Sequence, residues 1–233
     1  MEDLLIAWTF AVAAAVVLVG VYAHLVRPWH LNWGATDEEV ATPLPGDEVV
    51  PRPKSEATHA VTIRAPPARV WPYLAQLGQD RAGFYSYTRL EDLLGCRMRN
   101  MYRVVPEWQH LEAGDGVLFH PKLPRVPVAI LDPGRAKVIG GPLDPDTGAP
   151  VAVGTADPAR CGATAWAFVL RDLGDGRTRL VVRLRGRWPD GWRGWLANRL
   201  FWEPAHFVME RRMLLTLKRL AEAAAEPEPA VRF

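Results

Sequence analysis

The feature that most constrains this chain is an uncharged apolar run near its start. The run from Leu4 to Val26 contains 20 apolar side chains in 23 residues and no Asp, Glu, Lys or Arg. As a helix it would be about 34 Å long, and the hydrocarbon core of a bilayer is about 30 Å thick. The run therefore predicts one membrane-spanning helix within an anchor of residues 1–33.

Two other interpretations of the run fit less well. A cleaved signal peptide has a basic start and a shorter apolar stretch, whereas this chain begins Met1-Glu2-Asp3. A helix in a soluble core is apolar on one face, whereas this run is apolar on every face. Acidic residues precede the run and Arg27 follows it. The positive-inside rule therefore predicts a single-pass protein of the cell membrane with its globular part in the cytoplasm.

The charge of the remaining chain is nearly balanced. All 28 basic residues and all but two of the 26 acidic residues lie beyond the run. So small a positive excess argues against a nucleic-acid partner. Cys96 and Cys161 form no C-x-x-C pair and are too few for a disulfide framework, which fits a reducing compartment.

The chain beyond the anchor divides into three parts. Residues 34–56 contain four prolines, which break helices and limit strands, so we expect a Pro-rich linker or extended arm. Residues 57–225 carry the strand and helix patterns of one folded domain, with an insertion loop at 140–162. Residues 226–233 are expected to be a disordered tail.

The pattern of the folded domain is one strand, two helices, a run of strands and one long helix. His59, Val61 and Ile63 alternate with polar or small residues, which is typical of a half-buried strand. Helices are expected after Pro67 and from Thr88. A long last helix is expected either to start near Glu203 or to be kinked at Pro204. Asp175-Gly176 predicts a hairpin turn. The strands between the helices are predicted at 116–120, 126–131, 136–139, 163–173 and 178–188.

This order predicts an α+β fold in which the long helix covers one face of an antiparallel sheet and leaves a cavity between them. Ala167 would line that cavity if it faces inward.

Three stretches of the domain resemble the START-like, or SRPBCC, superfamily, which includes polyketide cyclase/dehydrase-like proteins. They are VTIRAPPARVWPYLAQLGQDRAGFYSY (Val61 to Tyr87), PEWQHLEAGD (Pro106 to Asp115) and FVMERRMLL (Phe207 to Leu215). Within the superfamily they resemble a bacterial group with an N-terminal membrane span. The resemblance implies a helix-grip (START/Bet v 1-like) fold, a curved antiparallel sheet wrapped on a long C-terminal helix around an apolar cavity. It implies no single activity.

The densest group of polar and aromatic side chains lies between residues 79 and 91. It includes Asp80, Arg81, Tyr85, Tyr87 and Glu91. Asp80 or Glu91 could act as a base whose pKa burial raises, with the tyrosines donating to a ligand oxygen. The alternative is that Asp80 and Arg81 only fix the loop.

A second group surrounds the turn at Pro106. Glu107 beside Trp108 could form an acid/base pair with the first group, or it could form only a salt bridge. Asp80, Glu91 and Glu107 are therefore the candidate catalytic residues. The predicted ligand-binding residues are Asp80, Arg81, Tyr85, Tyr87, Glu91, Glu107, Trp108, Gln109 and His206.

Other kinds of site have little support. The six histidines show neither H-x-x-x-H nor H-E-x-x-H spacing, so no metal is expected. The chain has no G-x-S-x-G motif, so a serine hydrolase is not expected. It has no P-loop and no G-x-G-x-x-G motif, so no nucleotide or other cofactor is expected. Trp188, Trp192, Trp195 and Trp202 precede the last helix and could fill the core or form an interfacial rim.

The sequence thus favours a membrane-anchored domain that binds or transfers an apolar small molecule, such as a lipid, an isoprenoid or a polyketide-like compound. The alternative is a cyclase or dehydratase that uses the same cavity, with one of the three carboxylates as base and Tyr85 as donor. A regulatory interaction module is a third possibility. The sequence carries no signal for an oligomeric state.

Overall fold

The computed structural model describes residues 1–93, 95–144, 147, 149–151, 161–188 and 191–223 of the chain. The predicted tail and most of the predicted insertion loop lie outside the described residues.

Six antiparallel strands form one sheet in the order β1-β6-β5-β4-β3-β2. The hairpin between β5 and β6 turns at Asp175 and Gly176, whose φ angles of 52° and 69° are those of a type I′ turn. This is the predicted hairpin. The strands are β1 Ser55–Ile63, β2 Gly116–Val117, β3 Val126–Asp132, β4 Ala136–Leu143, β5 Gly162–Gly174 and β6 Arg177–Arg187.

A glycine lets two central strands approach closely. Gly140 of β4 pairs with Ala165 of β5 and has a φ of 153°. A Cβ at this position would overlap the carbonyl oxygen of Thr164. Only glycine fits here without moving the backbone, which explains a glycine inside a strand.

Beyond the N-terminal helix, the described residues form five α-helices, labelled α3 to α7. α7 begins at Glu203, one of the two alternatives that the sequence pattern left open for the last helix. It continues α6 through one π-helical turn at Asn198–Trp202. The helices beyond the N-terminal one are α3 Asp37–Ala41, α4 Pro67–Ala75, α5 Thr88–Leu93, α6 Trp192–Ala197 and α7 Glu203–Ala223.

The main core lies between α7 and one face of the sheet. Leu214 and Leu217 of α7 are fully buried there, together with Phe168 of β5 and Leu180 of β6. They recur at helical and strand spacing because one face of each element is apolar.

The other face of the sheet is covered too, although the sequence pattern suggested that the long helix alone would cover the sheet. Residues 34–54 pack across it as an arm, and Val50 of this arm is buried against Val138 and Ala165. Ala167 belongs to the same cluster, so it faces the arm and not the cavity. Strand side chains alternate between faces, and Trp166 therefore faces the cavity.

Arg183 holds the arm in place from β6. Its guanidinium group is buried and donates to the carbonyl oxygens of Glu39, Val40 and Thr42. It also pairs with the Asp47 carboxylate at 2.8 Å. Bonds from one charged group to several backbone carbonyls fix a segment whose prolines limit regular structure.

One continuous helix precedes the arm. It consists of α1 Glu2–Val21, a π-helical turn at Tyr22–Val26, and α2 Arg27–Leu31. Its apolar part is unburied within the protein and is long and apolar enough to cross a membrane. Its last turn packs on the domain, where Trp29 and His30 contact the ring of Phe207.

Candidate functional site

A cavity of about 440 Å³ lies between the sheet and α7. Most of its wall is apolar. The described residues that line it are Phe84, Ser86, Glu91, Cys96, Met98, Phe119, Leu123, Pro124, Val126, Ile139, Leu143, Thr164, Trp166, Leu184, His206, Met209, Glu210 and Met213.

Three aromatic rings form one side of the cavity. Phe84 stacks on Phe119 with ring centroids 5.0 Å apart, and both rings contact Trp166. Behind them the ring of Phe168 lies 4.7 Å from that of Trp166. Interlocked aromatic rings give a firm apolar surface with few accessible rotamers.

Glu91 is the most unusual group in this wall. It lies on α5, is 1% exposed, and neither of its carboxyl oxygens has a hydrogen-bond partner among the described residues. Burial, with a smaller contribution from Asp92, raises the pKa of this carboxyl to about 7. A buried polar group without a partner is rare in proteins, so Glu91 is poised to accept or donate a hydrogen bond to a bound molecule.

A second carboxylate, Glu210 of α7, is buried between two histidines and a tryptophan. Its Oε2 contacts Nε2 of His206 and lies 3.4 Å from Nδ1 of His59. Its Oε1 accepts a hydrogen bond of 3.5 Å from Nε1 of Trp166. Burial favours a raised pKa, but the two histidines outweigh burial and lower the pKa of Glu210.

His59 joins this carboxylate to the N-terminal helix. Its Nε2 lies 2.8 Å from the carbonyl oxygen of His30, and its Nδ1 faces Glu210. Both neighbours accept hydrogen bonds, so a doubly protonated ring suits the position. Although burial lowers the pKa of His59, the charge of Glu210 outweighs it, and the pKa is raised.

The two carboxylates therefore differ in protonation at neutral pH. Glu91 titrates near pH 7, whereas Glu210 stays ionised beside its histidines. Carboxyl groups whose environments push their pKa values apart can serve as acid and base in one site.

The described part of the chain contains no metal site and no activated thiol comparable to the two carboxylates. No group of three His, Cys, Asp or Glu side chains there could hold a metal ion. Cys96 and Cys161 are free cysteines. Cys96 lines the cavity, and burial raises the pKa of its thiol, which makes the reactive thiolate scarce.

The topology identifies the architecture. One curved antiparallel sheet, with β1 paired to the last strand, wraps around the long helix α7 and encloses the cavity. The chain has a helix-grip fold. This fold is the one predicted from the sequence, and the apolar N-terminal helix precedes it as expected.

Several solved structures are similar to this helix-grip chain. A hypothetical protein from Helicobacter pylori has a TM-score of 0.44 at 9% identity, over 78% of this chain and 96% of that one. A protein from Mesorhizobium loti has a TM-score of 0.38 at 17% identity, over 74% and 100%. A Streptomyces aromatase/cyclase, ZhuI, has a TM-score of 0.35 at 14% identity, over 76% and 99%. No protein-family model and no curated protein matches the sequence significantly.

Two of the nine predicted binding residues, Glu91 and His206, line the cavity. Asp80 does not: it forms a partly exposed ion pair with Arg125 at 2.7 Å. Its neighbour Arg81 is half-buried outside the lining, and Asp80 and Arg81 do not pair with each other in the described part of the chain.

Both predicted tyrosines also lie outside the lining. Tyr85 is buried outside the cavity lining, and its hydroxyl accepts a hydrogen bond of 2.7 Å from Gln76. Burial raises the pKa of that hydroxyl above the ordinary value of a tyrosine. Tyr87 is exposed, and the guanidinium group of Arg212 lies over its ring.

The second predicted group is placed on the outside of the cavity wall. Glu107 is exposed on a short 3-10 turn, and Trp108 packs against the main core. Gln109 donates hydrogen bonds to the carbonyl oxygen of Pro72 and to Gln76. Glu107 is thus far more solvated than an acid paired with a cavity group would be.

Sequence reasoning missed Glu210, His59 and Trp166, although two of them carried a signal. Glu210 interrupts the apolar stripe of the last helix three residues after Phe207 and four before Leu214. His59 stands on the inward face of β1 with Val61 and Ile63. A single charged residue on an otherwise apolar face is a sign of a buried pair or a functional group.

Proposed function

We propose that this protein is a membrane-anchored binder of an apolar small molecule that carries at least one hydrogen-bonding group. The observation that carries the proposal is Glu91, a buried carboxyl without a partner in an otherwise apolar cavity. A bound molecule that donates to Glu91, or accepts from its protonated form, would satisfy this group.

The size of the cavity suits this function. Its volume of about 440 Å³ falls within the roughly 300–1,000 Å³ typical of small-molecule sites. Removing apolar ligand surface from water contributes about 25 cal/mol per Å², whereas one neutral hydrogen bond contributes about 0.5–1.5 kcal/mol. Affinity would thus come from the walls, and orientation from Glu91.

The N-terminal helix would provide the anchor. A cleaved signal peptide leaves its domain, but the last turn of this helix is part of the fold, because His30 and Leu31 are buried. Losing them would uncover Phe207 and leave His59 without its carbonyl partner. We place the domain in the cytoplasm on the acidic residues before the helix and Arg27 after it.

Mass spectrometry of small molecules that copurify with the full chain tests ligand binding. Met209→Trp would fill the cavity, and Val208→Trp, on the exposed side of the same helix, is the matched control. We expect wild type and Val208→Trp to retain the same apolar molecule and Met209→Trp to lose it. Equal retention by all three proteins would contradict binding in this cavity.

A direct titration uses the neutral apolar dye N-phenyl-1-naphthylamine. Its fluorescence should rise on binding to wild type and to Val208→Trp, and affinity should fall at least about tenfold, or 1.4 kcal/mol, for Met209→Trp. Dye binding that is unchanged by Met209→Trp would place the dye elsewhere.

Topology is tested with reporters fused after Phe233. A fluorescent protein that matures in the cytoplasm should be active, and alkaline phosphatase, which needs an oxidising compartment, should be inactive. The reverse pattern would put the domain on the other side of the membrane.

An enzyme of the cyclase or dehydratase type is the second candidate, because Glu91 titrates near neutrality in the wall that also holds ionised Glu210. Glu91→Gln should then leave binding intact and slow turnover about 100-fold or more. The copurified molecule would differ between wild type, which holds product, and Glu91→Gln, which holds substrate: in mass after a dehydration, and in chromatographic retention after a cyclisation that conserves mass. Identical mass and retention would favour the binder.

A further inference from the structure

An exposed aromatic segment precedes α7. Residues 192–202, hereafter the aromatic segment, form α6 and the π-helical turn, and none of these residues is buried. Soluble monomers rarely display so many large apolar side chains together. The large apolar side chains exposed on the segment are Trp192, Trp195, Leu196, Leu200, Phe201 and Trp202, each at least 40% exposed. Three of the four tryptophans that could have filled the core, Trp192, Trp195 and Trp202, therefore lie on the surface.

The segment is attached to the domain end of the N-terminal helix. The Tyr22 hydroxyl donates a hydrogen bond of 2.5 Å to the carbonyl oxygen of Arg199. Arg27 forms two hydrogen bonds with Glu203, at 2.8 and 3.0 Å. Tyr22 lies about 7 Å from Arg27 along the helix, at about 1.5 Å per residue. These bonds hold the segment at the level where the apolar run ends.

The chemistry of the segment is that of a membrane interface. It contains no Asp or Glu, and its two basic residues lie over tryptophan rings. The guanidinium groups of Arg193 and Arg199 are 5.4 and 4.5 Å from the ring centroids of Trp192 and Trp195. Tryptophan and arginine together favour the headgroup region, where a ring meets acyl chains and a cation meets phosphate.

We propose that the aromatic segment lies in the headgroup layer of the membrane that the N-terminal helix crosses, as a second contact between this protein and lipid. This inference rests on the proposed membrane anchor. Lipid is the occupant because the segment is bonded to the end of the span, so a bilayer around the span reaches the segment without any further partner. The basic residues favour anionic headgroups.

The contact would also hold the cavity wall beside the bilayer. α7 continues the aromatic segment without a break, and His206 and Met209 in its first turns line the cavity. A domain attached only by a span could tilt about the membrane surface. Two contacts, the span and the segment, restrict that tilt and keep one end of α7 at the lipid headgroups.

Spin-label depth measurements on the full chain in nanodiscs of phosphatidylcholine and phosphatidylglycerol test this contact. Both native cysteines are free, so Cys96→Ser and Cys161→Ser break no disulfide. Single cysteines then replace Trp195 or Leu200 on the segment, Val12 in the span, and Asp175 on the distal hairpin. Collision with oxygen reports lipid, and collision with a nickel chelate reports water.

We expect labels at Trp195→Cys and Leu200→Cys to have an oxygen-to-nickel collision ratio several-fold above that at Asp175→Cys. The ratio should lie below that at Val12→Cys. If both segment labels match Asp175→Cys while Val12→Cys is lipid-exposed, the second contact is wrong and the anchor stands. If Val12→Cys is itself water-exposed, the N-terminal helix does not span the membrane and the proposed anchor is wrong.

A second copy of the chain could cover the segment instead. Labels at Leu200→Cys would then broaden one another's spectra, and the broadening would vanish on dilution with unlabelled protein. That result, with low oxygen collision, would overturn the lipid contact. Sharp spectra together with high oxygen collision would support it.

Discussion

Glu210 and His206 lie one turn apart on α7, and the Glu210 carboxylate contacts the His206 ring in the cavity wall. His59 of β1 approaches the same oxygen from the sheet at 3.4 Å. The carboxylate therefore links the helix to the sheet that it covers. Through the bond from His59 to the His30 carbonyl, it also reaches the N-terminal helix.

Replacing Glu210 tests this link. Glu210→Gln leaves two histidines beside a neutral amide, and removing one partner of a buried ion pair costs about 3–5 kcal/mol. We expect that loss in denaturant unfolding of the full chain in detergent. Glu222→Gln, in a surface pair on the same helix, is the control and should cost less than about 1 kcal/mol. Equal losses would mean that the buried link adds no stability.

The raised pKa of His59 predicts a specific pH dependence. The folded state holds the proton more tightly than the unfolded state, whose histidine pKa is 6.5. The stabilisation is complete below pH 6.5 and is lost as pH rises through the higher folded value. The stability difference between wild type and His59→Gln should therefore shrink as pH rises. A difference that does not change with pH would show that folding leaves the pKa of His59 unchanged.

Glu91 should also make the protein less stable as pH rises, in this case because its ionised form is unfavourable in the folded state. Its folded pKa of about 7 exceeds the reference value of 4.5, so ionisation is costly only in the folded state. Stability should fall as pH rises from 4.5 through about 7, and Glu91→Gln should remove this fall. Above pH 7 the variant should be more stable than wild type by about 1 kcal/mol or more. Parallel pH profiles would place the pKa of Glu91 near its ordinary value.

The arm offers a test that is independent of the cavity. Arg183→Met would remove the donor to three arm carbonyls and one of the two arginines beside the Asp47 carboxylate, at a cost on the order of 3 kcal/mol. We expect faster amide hydrogen exchange across residues 36–50 and little change in α7. Arg177→Met, in an exposed pair with Asp175, should leave exchange in the arm unaltered. Unchanged exchange in the Arg183 variant would mean that the other contacts of the arm hold it without Arg183.

The folding pattern could be predicted because it depends on residues that are neighbours in the chain. The apolar run, the alternation from His59 to Ile63 and the Asp175-Gly176 turn each specify a local conformation. In that order, the elements leave few arrangements other than one long helix against one antiparallel sheet. The sequence also indicated that residues near Glu91 would be functional candidates.

Only the tertiary structure decided which polar groups meet. Glu91 and Asp80 look alike as loop and helix carboxylates, yet one lies in an apolar cavity and the other in a surface ion pair with Arg125. Glu210 and His59 come from distant parts of the chain and meet through the register of α7 on β1. Local periodicity determines whether a residue faces the core. The pKa and chemistry of that residue depend on which distant side chains it meets and how much water they exclude.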